Sequence, residues 1–287
     1  MITPFPDPKS ILRRFELSEF PQPEIIRLQY PVLLCHGYGS VAGLVRPSAL
    51  HLPCMTLRKF GVHAFAPNTL PYGEIATRAG EWIEKIDILR ERYGFEKFNV
   101  IGHSMAGLDI RYAIARLKAA DRIASLTTIA TPHRGTSIAE LLLTTPDLIQ
   151  DAVSGIFNFL GEGVYPKTKS DSIGALRQLT RSYVEETFNS EVEDHPGVHY
   201  YSYSAAVGKG TDAPLNPVYR FQNVQIFQRE GENDSFVSKK SAIWGEHIST
   251  VPISHIEQMY IQVGRDRVSL VENFWKDVAL NLQERGF

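Results

Sequence analysis

Only two cysteines, Cys35 and Cys54, occur in 287 residues, too few for a disulfide framework or a cysteine-based metal site. Cys35 lies inside an apolar run and reads as a small packed hydrophobe. Long hydrophobic runs are missing as well: none approaches the ~18 residues that a membrane span requires. Neither sign of charge dominates, since the net charge is −2, and no basic footprint for DNA or RNA follows. There is no internal repeat, low-complexity segment or linker-like stretch. The first twenty residues, "MITPFPDPKSILRRFELSEF", are broken by prolines and charges and lack the apolar segment of a signal peptide, so a cytoplasmic protein is expected.

What remains is a chain with 43% hydrophobic and 22% charged residues, enough for one sizeable core. Short apolar runs alternate with helical patterns. "YPVLLC" (30–35), "HAFAPN" (63–68), "FNVIGHS" (98–104), "IASLTTIATP" (123–132), "VHYYSYSA" (198–205) and "VQIFQREGEND" (224–234) read as strands. Between the second and third, Ile75, Ala79, Trp82, Ile83, Ile86 and Leu89 recur at helical spacing. "SLVENFWKDVALNLQERG" near the C-terminus is a further amphipathic helix. Strands apolar throughout, alternating with helices, predict an α/β fold: a mostly parallel sheet covered by helices on both faces. One domain spanning 1–287 is the economical organisation. Residues 136–190 interrupt the alternation with more chain than a crossover helix needs. An apolar stripe within it, Leu148, Ile149, Ala152, Val153, Ile156, Phe157 and Leu160, predicts a helical cap, either docked on the core or lifting as a lid over residues 146–161.

Chemistry is concentrated in "NVIGHSMAGLDIRY" (99–112). A strand, the turn Gly102-His103-Ser104-Met105-Ala106 and a helix form a near match to the nucleophile elbow Gly-x-Ser-x-Gly, which lifts a serine hydroxyl above a sheet. Alanine stands at the fifth position, one methyl larger than glycine, and Gly107 follows. A strict five-residue match would arise by chance in roughly one chain in ten of this length, and a serine here also suits a helix N-cap; the strand and helix around it favour the nucleophile. "LLCHGYGS" (33–40) places a glycine loop after an early strand. There the amide of Tyr38, with that of Met105, is the candidate oxyanion hole for a tetrahedral intermediate. A serine needs a base and the base an orienting acid. After residue 200 the histidines are His247 and His255. His255, in a polar loop before the last helix, is preferred over His247, which falls among alternating strand-like residues. For the acid, Asp234 at a strand's end stands ahead of Asp212.

The same residues resemble the bacterial triacylglycerol lipases of the α/β-hydrolase fold. "YPVLLCHGYG" looks like their oxyanion loop, "VIGHSMAGLDIRY" their elbow, "IATPHRGTS" the turn after the next strand, "NDSFVSKKSAIWG" the acid loop and "SHIEQM" the histidine loop. The resemblance runs from about Tyr30 to Met259. It implies Ser104 as nucleophile, Asp234 as acid, His255 as base and the amides of Tyr38 and Met105 as oxyanion donors. It also implies an ester or lipid substrate and transient contact with a lipid surface; the charge balance already argues for no nucleic acid. Ser235 stands where such acid loops usually have glycine. Secreted relatives often hold a structural calcium through a carboxylate two residues after the histidine; that residue is Glu257 here, with Asp212 as a guessed partner, and the expectation is a chain without cofactor. The expected activity is hydrolysis of carboxylic esters through an acyl-enzyme. The same triad would also serve an acyltransferase or a thioesterase, and a non-catalytic hydrolase-fold binding protein is the rival of a different class.

Overall fold

The computed structural model describes residues 24–39, 47–144 and 169–287, with side chains from 172 onward in the last stretch. The first five apolar runs supply strands of a six-stranded sheet, β1 (Val32–Cys35), β2 (Ala64–Phe65), β3 (Phe98–His103), β4 (Ile123–Ile129) and β5 (His199–Ala205), which β6 (Glu246–Val251) completes. Their order is β2-β1-β3-β4-β5-β6 and every neighbouring pair is parallel. The sheet is thus parallel throughout rather than mostly so.

Alternation within β1 shows why these strands are apolar on both sides. Val32 and Leu34 face one cluster with Leu57, Val271, Trp275 and Val278. Leu33 and Cys35 face another with Ala79, Trp82, Ile86, Ile110 and Ala113. The helices that supply those residues are α1 (His51–Lys59) and α7 (Val268–Glu284) on the first face, and α2 (Ile75–Tyr93) and α3 (Ala106–Arg116) on the second. Cys35 is fully buried, as expected of a packed hydrophobe. Between α3 and α7 come α4 (Ser137–Thr144), α5 (Lys169–Arg177) and α6 (Arg220–Glu230). A third cluster joins Met105 and Leu108, at the start of α3, to Ala139 of α4 and Ala175 of α5. It seats the described ends of the 136–190 insertion over the sheet's C-terminal edge. The apolar stripe 148–160 and the lid expected over 146–161 lie outside the described residues.

One element departs from the sequence expectation. Residues 224–234 are not a strand: Arg220–Glu230 is helical and ends at Gly231, which has φ 89°. The buried positions are Gln222, Asn223 and Ile226, a helical spacing in which two of three are polar. A reading that follows apolar residues sees only Val224, Ile226 and Phe227, and takes their alternation for a strand. The second run is also shorter than 63–68, because β2 stops at Phe65, two residues before Pro67, which has no amide hydrogen for a ladder.

Candidate active site

The elbow is built by the absence of side-chain atoms. Ser104 has φ 57°, a left-handed conformation that non-glycine residues hold only under constraint. Its amide donates to Ile129 O at 2.9 Å, and Gly107 N–H returns to Ser104 O at 3.1 Å. The Thr131 hydroxyl donates to the same Ser104 carbonyl at 2.7 Å. A Cβ on Gly102 would lie 2.8 Å from Gly107 Cα, and one on Gly107 would lie 2.6 Å from Thr131 Cγ2. Strand and helix therefore meet at Gly102 and Gly107, which explains why the glycine arrives one residue late: the crowded position is 107, while Ala106 keeps its methyl in the apolar cluster beneath.

The expected oxyanion loop packs directly on this turn. A Cβ on Gly37 would sit 2.6 Å from Ser104 Cβ and 3.0 Å from Met105 N. Met105 precedes the first residue of α3, where backbone amides lie beyond the reach of intrahelical acceptors and the helix dipole favours negative charge. The loop is held from below by a buried ion pair that sequence reasoning missed. Arg78, fully buried, donates from Nε to Asp109 Oδ2 at 2.9 Å. Its Nη2 reaches His36 O at 2.6 Å, and its Nη1 donates to Leu70 O. Trp82 Nε1 adds a 3.2 Å bond to Asp109 Oδ2. Burial pushes the Asp109 carboxyl up to about 6 against the pull of Arg78, and burial with the Arg78 charge pushes His36 down to about 3. His36 is therefore a neutral imidazole; its Nε2 accepts the Thr69 amide at 3.1 Å. The signal was present: Arg78 interrupts the Ile75–Ala79–Trp82 stripe on the buried face of α2. Tyr38 follows, its hydroxyl donating to Ser172 O of α5 at 3.3 Å, and burial raises its pKa.

On the other side of the cleft, His255 and Asp234 meet as the sequence predicts, with His255 Nδ1 and Asp234 Oδ2 at 2.7 Å. Asp234 Oδ1 accepts the amides of Phe236 and Val237 at 2.9 and 2.8 Å, so Oδ2 is left for the imidazole. The His255 amide also donates to Asp234 O at 3.1 Å. The ring lies between His103, 4.6 Å away, and Phe236, 5.0 Å away. His103 in turn pairs with Gln258 at 2.9 Å, and burial beside His255 holds it well below the usual histidine range. The acid loop stands on α6: Asn223 Nδ2 donates to Asn233 Oδ1 at 2.9 Å and Gln222 Nε2 to Ser235 O at 2.8 Å. Ser235, where glycine was expected, holds φ 87°, and its hydroxyl is buried without a hydrogen bond.

Ser104, His255, Tyr38 and His103 open on one cleft, whose other lining includes Ile138, Leu142, Leu176, Leu179, Phe236 and Met259. The alternatives fall elsewhere. His247 lies on edge strand β6 with its Nδ1 3.2 Å from Ser202 O, and Asp212 is exposed on the loop before α6.

Nor do the residues present fit the calcium that the resemblance raised. Both Glu257 oxygens are engaged, by Arg267 Nε at 2.7 Å and by the Ser254 amide at 2.8 Å. Among the described residues, no three His, Cys, Asp or Glu side chains gather as metal ligands.

Comparison with known proteins agrees with this geometry. The model of the alpha/beta hydrolase fold family matches residues 30–189. A triacylglycerol lipase of Pseudomonas fragi is 27% identical over 293 residues, covering 91% of this chain and 98% of that one. Another, of Pseudarthrobacter phenanthrenivorans, is 29% identical over 275 residues, covering 77% and 85%. The crystal structure of a Bacillus licheniformis lipase in its mature form superposes with a TM-score of 0.63 at 18% identity, covering 91% of this chain and 94% of that one. The chain thus belongs to the α/β-hydrolase fold family, as a lipase-like member.

Proposed function

We propose that this lipase-like carboxylic ester hydrolase works through an acyl-enzyme on Ser104, with His255 as base, Asp234 as orienting acid and the amides of Tyr38 and Met105 as oxyanion donors. The observation that carries the reading is the 2.7 Å contact of His255 Nδ1 with Asp234 Oδ2 beside a cleft that also contains Ser104. With Nδ1–H donated to Asp234, Nε2 carries the free lone pair. It takes the Ser104 proton as Oγ attacks the ester carbonyl, and the carbonyl oxygen becomes an oxyanion received by backbone amides. Collapse breaks the bond to the alcohol, which leaves with the proton from His255. Water then repeats the sequence, releasing the acid and regenerating the serine.

Among the described residues, the cleft lining includes no Lys, Arg, Asp or Glu, and its polar members besides the reacting groups are few. Such walls favour an uncharged acyl chain. Neutral acyl esters, triacylglycerols among them, are the proposed substrates, with brief contact to a lipid surface during turnover. A fluorophosphonate probe tests the reading: wild-type protein should become labelled on Ser104 and lose esterase activity together, whereas Ser104→Ala should take no label. Loss of the nucleophile from such a triad costs on the order of a million-fold in turnover. A Ser104→Ala variant with a tenth of wild-type activity overturns the assignment.

A further inference from the structure

The loop that carries His255 is tied at both ends to one cation. Arg267 donates through Nε to Glu257 Oε1 at 2.7 Å and through Nη2 to Glu257 Oε2 at 3.2 Å. The same Nη2 reaches Pro252 O at 2.7 Å. Glu257 Oε2 also accepts the Ser254 amide at 2.8 Å. Pro252 and Ser254 precede His255 and Glu257 follows it, so a single guanidinium joins the backbone before the imidazole to the carboxylate after it. Both side chains are largely withdrawn from water, at 15% and 11% exposure, where an ion pair is weakly screened.

Helix stability does not account for Arg267. It is the N-cap residue of α7, whose first turn holds no acidic residue, and a cation there opposes the helix dipole. Its position serves the loop instead. The planar fork gives Glu257 two donors while one arm also reaches a carbonyl, which a lysine ammonium matches poorly.

We propose that Arg267 is a positioning residue for His255. Acting through Glu257, its guanidinium fastens the histidine loop as a bound cation would, and the site therefore works without a divalent metal. The proposal rests on the triad reading above.

The test uses the full chain and a soluble p-nitrophenyl ester. Wild-type activity should be indifferent to EDTA and to added calcium. Arg267→Met should lower kcat about tenfold to a hundredfold, the scale of a misplaced catalytic group, with KM changed by no more than about twofold. The rate of fluorophosphonate labelling at Ser104 should fall in parallel. Arg267→Lys should fall between the two, and Glu257→Gln combined with Arg267→Met should be no worse than Arg267→Met alone. If Arg267→Met folds poorly, Arg267→Ala decides, through recovery of kcat on adding guanidinium below its denaturing range. Wild-type kcat in Arg267→Met, or EDTA-sensitive wild-type activity restored by calcium, overturns the proposal. His255→Ala separates the two readings: an inactive His255→Ala beside a fully active Arg267→Met removes the positioning role alone, whereas an active His255→Ala removes the triad as well.

Discussion

The two walls of the cleft are held in place by different physics. On the nucleophile side, the turn is set by missing atoms: Gly37, Gly102 and Gly107 let loop, strand and helix touch, and a methyl at any of them would meet backbone or side chain, with the buried Arg78–Asp109 pair bracing the loop from below. On the histidine side, position is set by polar atoms. Asn223, Asn233 and Gln222 hold the acid loop, and Glu257 with Arg267 holds the histidine loop. Steric fit at a turn is nearly all-or-none, because interiors are close-packed. A hydrogen-bonded loop degrades step by step, each bond contributing about 0.5–1.5 kcal/mol net. One wall should fail abruptly under substitution, and the other gradually.

Within the histidine wall the largest contrast lies between its two late histidines. His255→Ala should approach the Ser104→Ala loss in kcat/KM, on the order of a million-fold, while His247→Ala, on the edge strand, should change it by less than about tenfold. Equal losses at both positions would contradict this geometry. Next comes a direct strike at the steric wall. Gly107→Val drives carbon into Thr131 and should destabilise by about 3 kcal/mol or more, seen as a large fall in urea midpoint together with loss of labelling at Ser104. A midpoint within experimental scatter of wild type would mean that the elbow is not close-packed.

Acid should sharpen the comparison further. His36 is depressed to about 3 and His103 and His133 lie well below their usual value, all through burial first. Below about pH 6.5 the unfolded chain binds protons that these folded imidazoles refuse, so stability falls as pH falls, by up to ~1.4 kcal/mol per unit for each. Asp109, raised to about 6, has the opposite sign: between about pH 6 and its ordinary value the folded carboxyl takes up the proton first, offsetting one imidazole. Melting temperature should decline steadily from pH 6.5 to 4, and His36→Gln should make that decline shallower. A flat profile would show that these imidazoles are hydrated. The smallest effect belongs to the acid loop. Ser235→Gly relieves a positive φ and an unpartnered hydroxyl, against a higher unfolded-state entropy. The net gain is expected near 1 kcal/mol, about 2–3 °C in melting temperature, and a lower melting temperature would refute it.

The contrast between the walls also explains what the sequence discloses. Apolar strands flanked by glycine and small residues are a local pattern, so β1, β3 and the Ser104 turn are readable from adjacent residues. Gly107 even signals its own role by its displaced position. The supports of the other wall are polar residues that pair with other polar groups ten to thirteen residues away, a spacing that marks no motif. Asn223 meets Asn233 only because α6 folds back, and α6 itself was misread since its inner face carries Gln222 and Asn223 rather than aliphatic side chains. On the nucleophile wall the hidden support is of the same kind: Arg78 and Asp109 stand 31 residues apart and become a pair only once α2 and α3 lie side by side. Ser104, Asp234 and His255 were legible through their order and their motifs; the means by which the last two are held was not.

The fastening of the histidine loop to the start of α7, reinforced by the Trp275 indole donating to Gln258 O at 2.9 Å, has a consequence for the chain as it is being made. Domains form from the N-terminus as synthesis proceeds, and the close approaches at Gly102 and Gly107 reach no further along the chain than Thr131. The proposed base, His255, comes more than a hundred residues later, and besides Asp234 its loop is braced by Arg267 and Trp275 of the α7 region. The proposed base is therefore braced late, once α7 docks and brings Arg267 and Trp275 to the histidine loop.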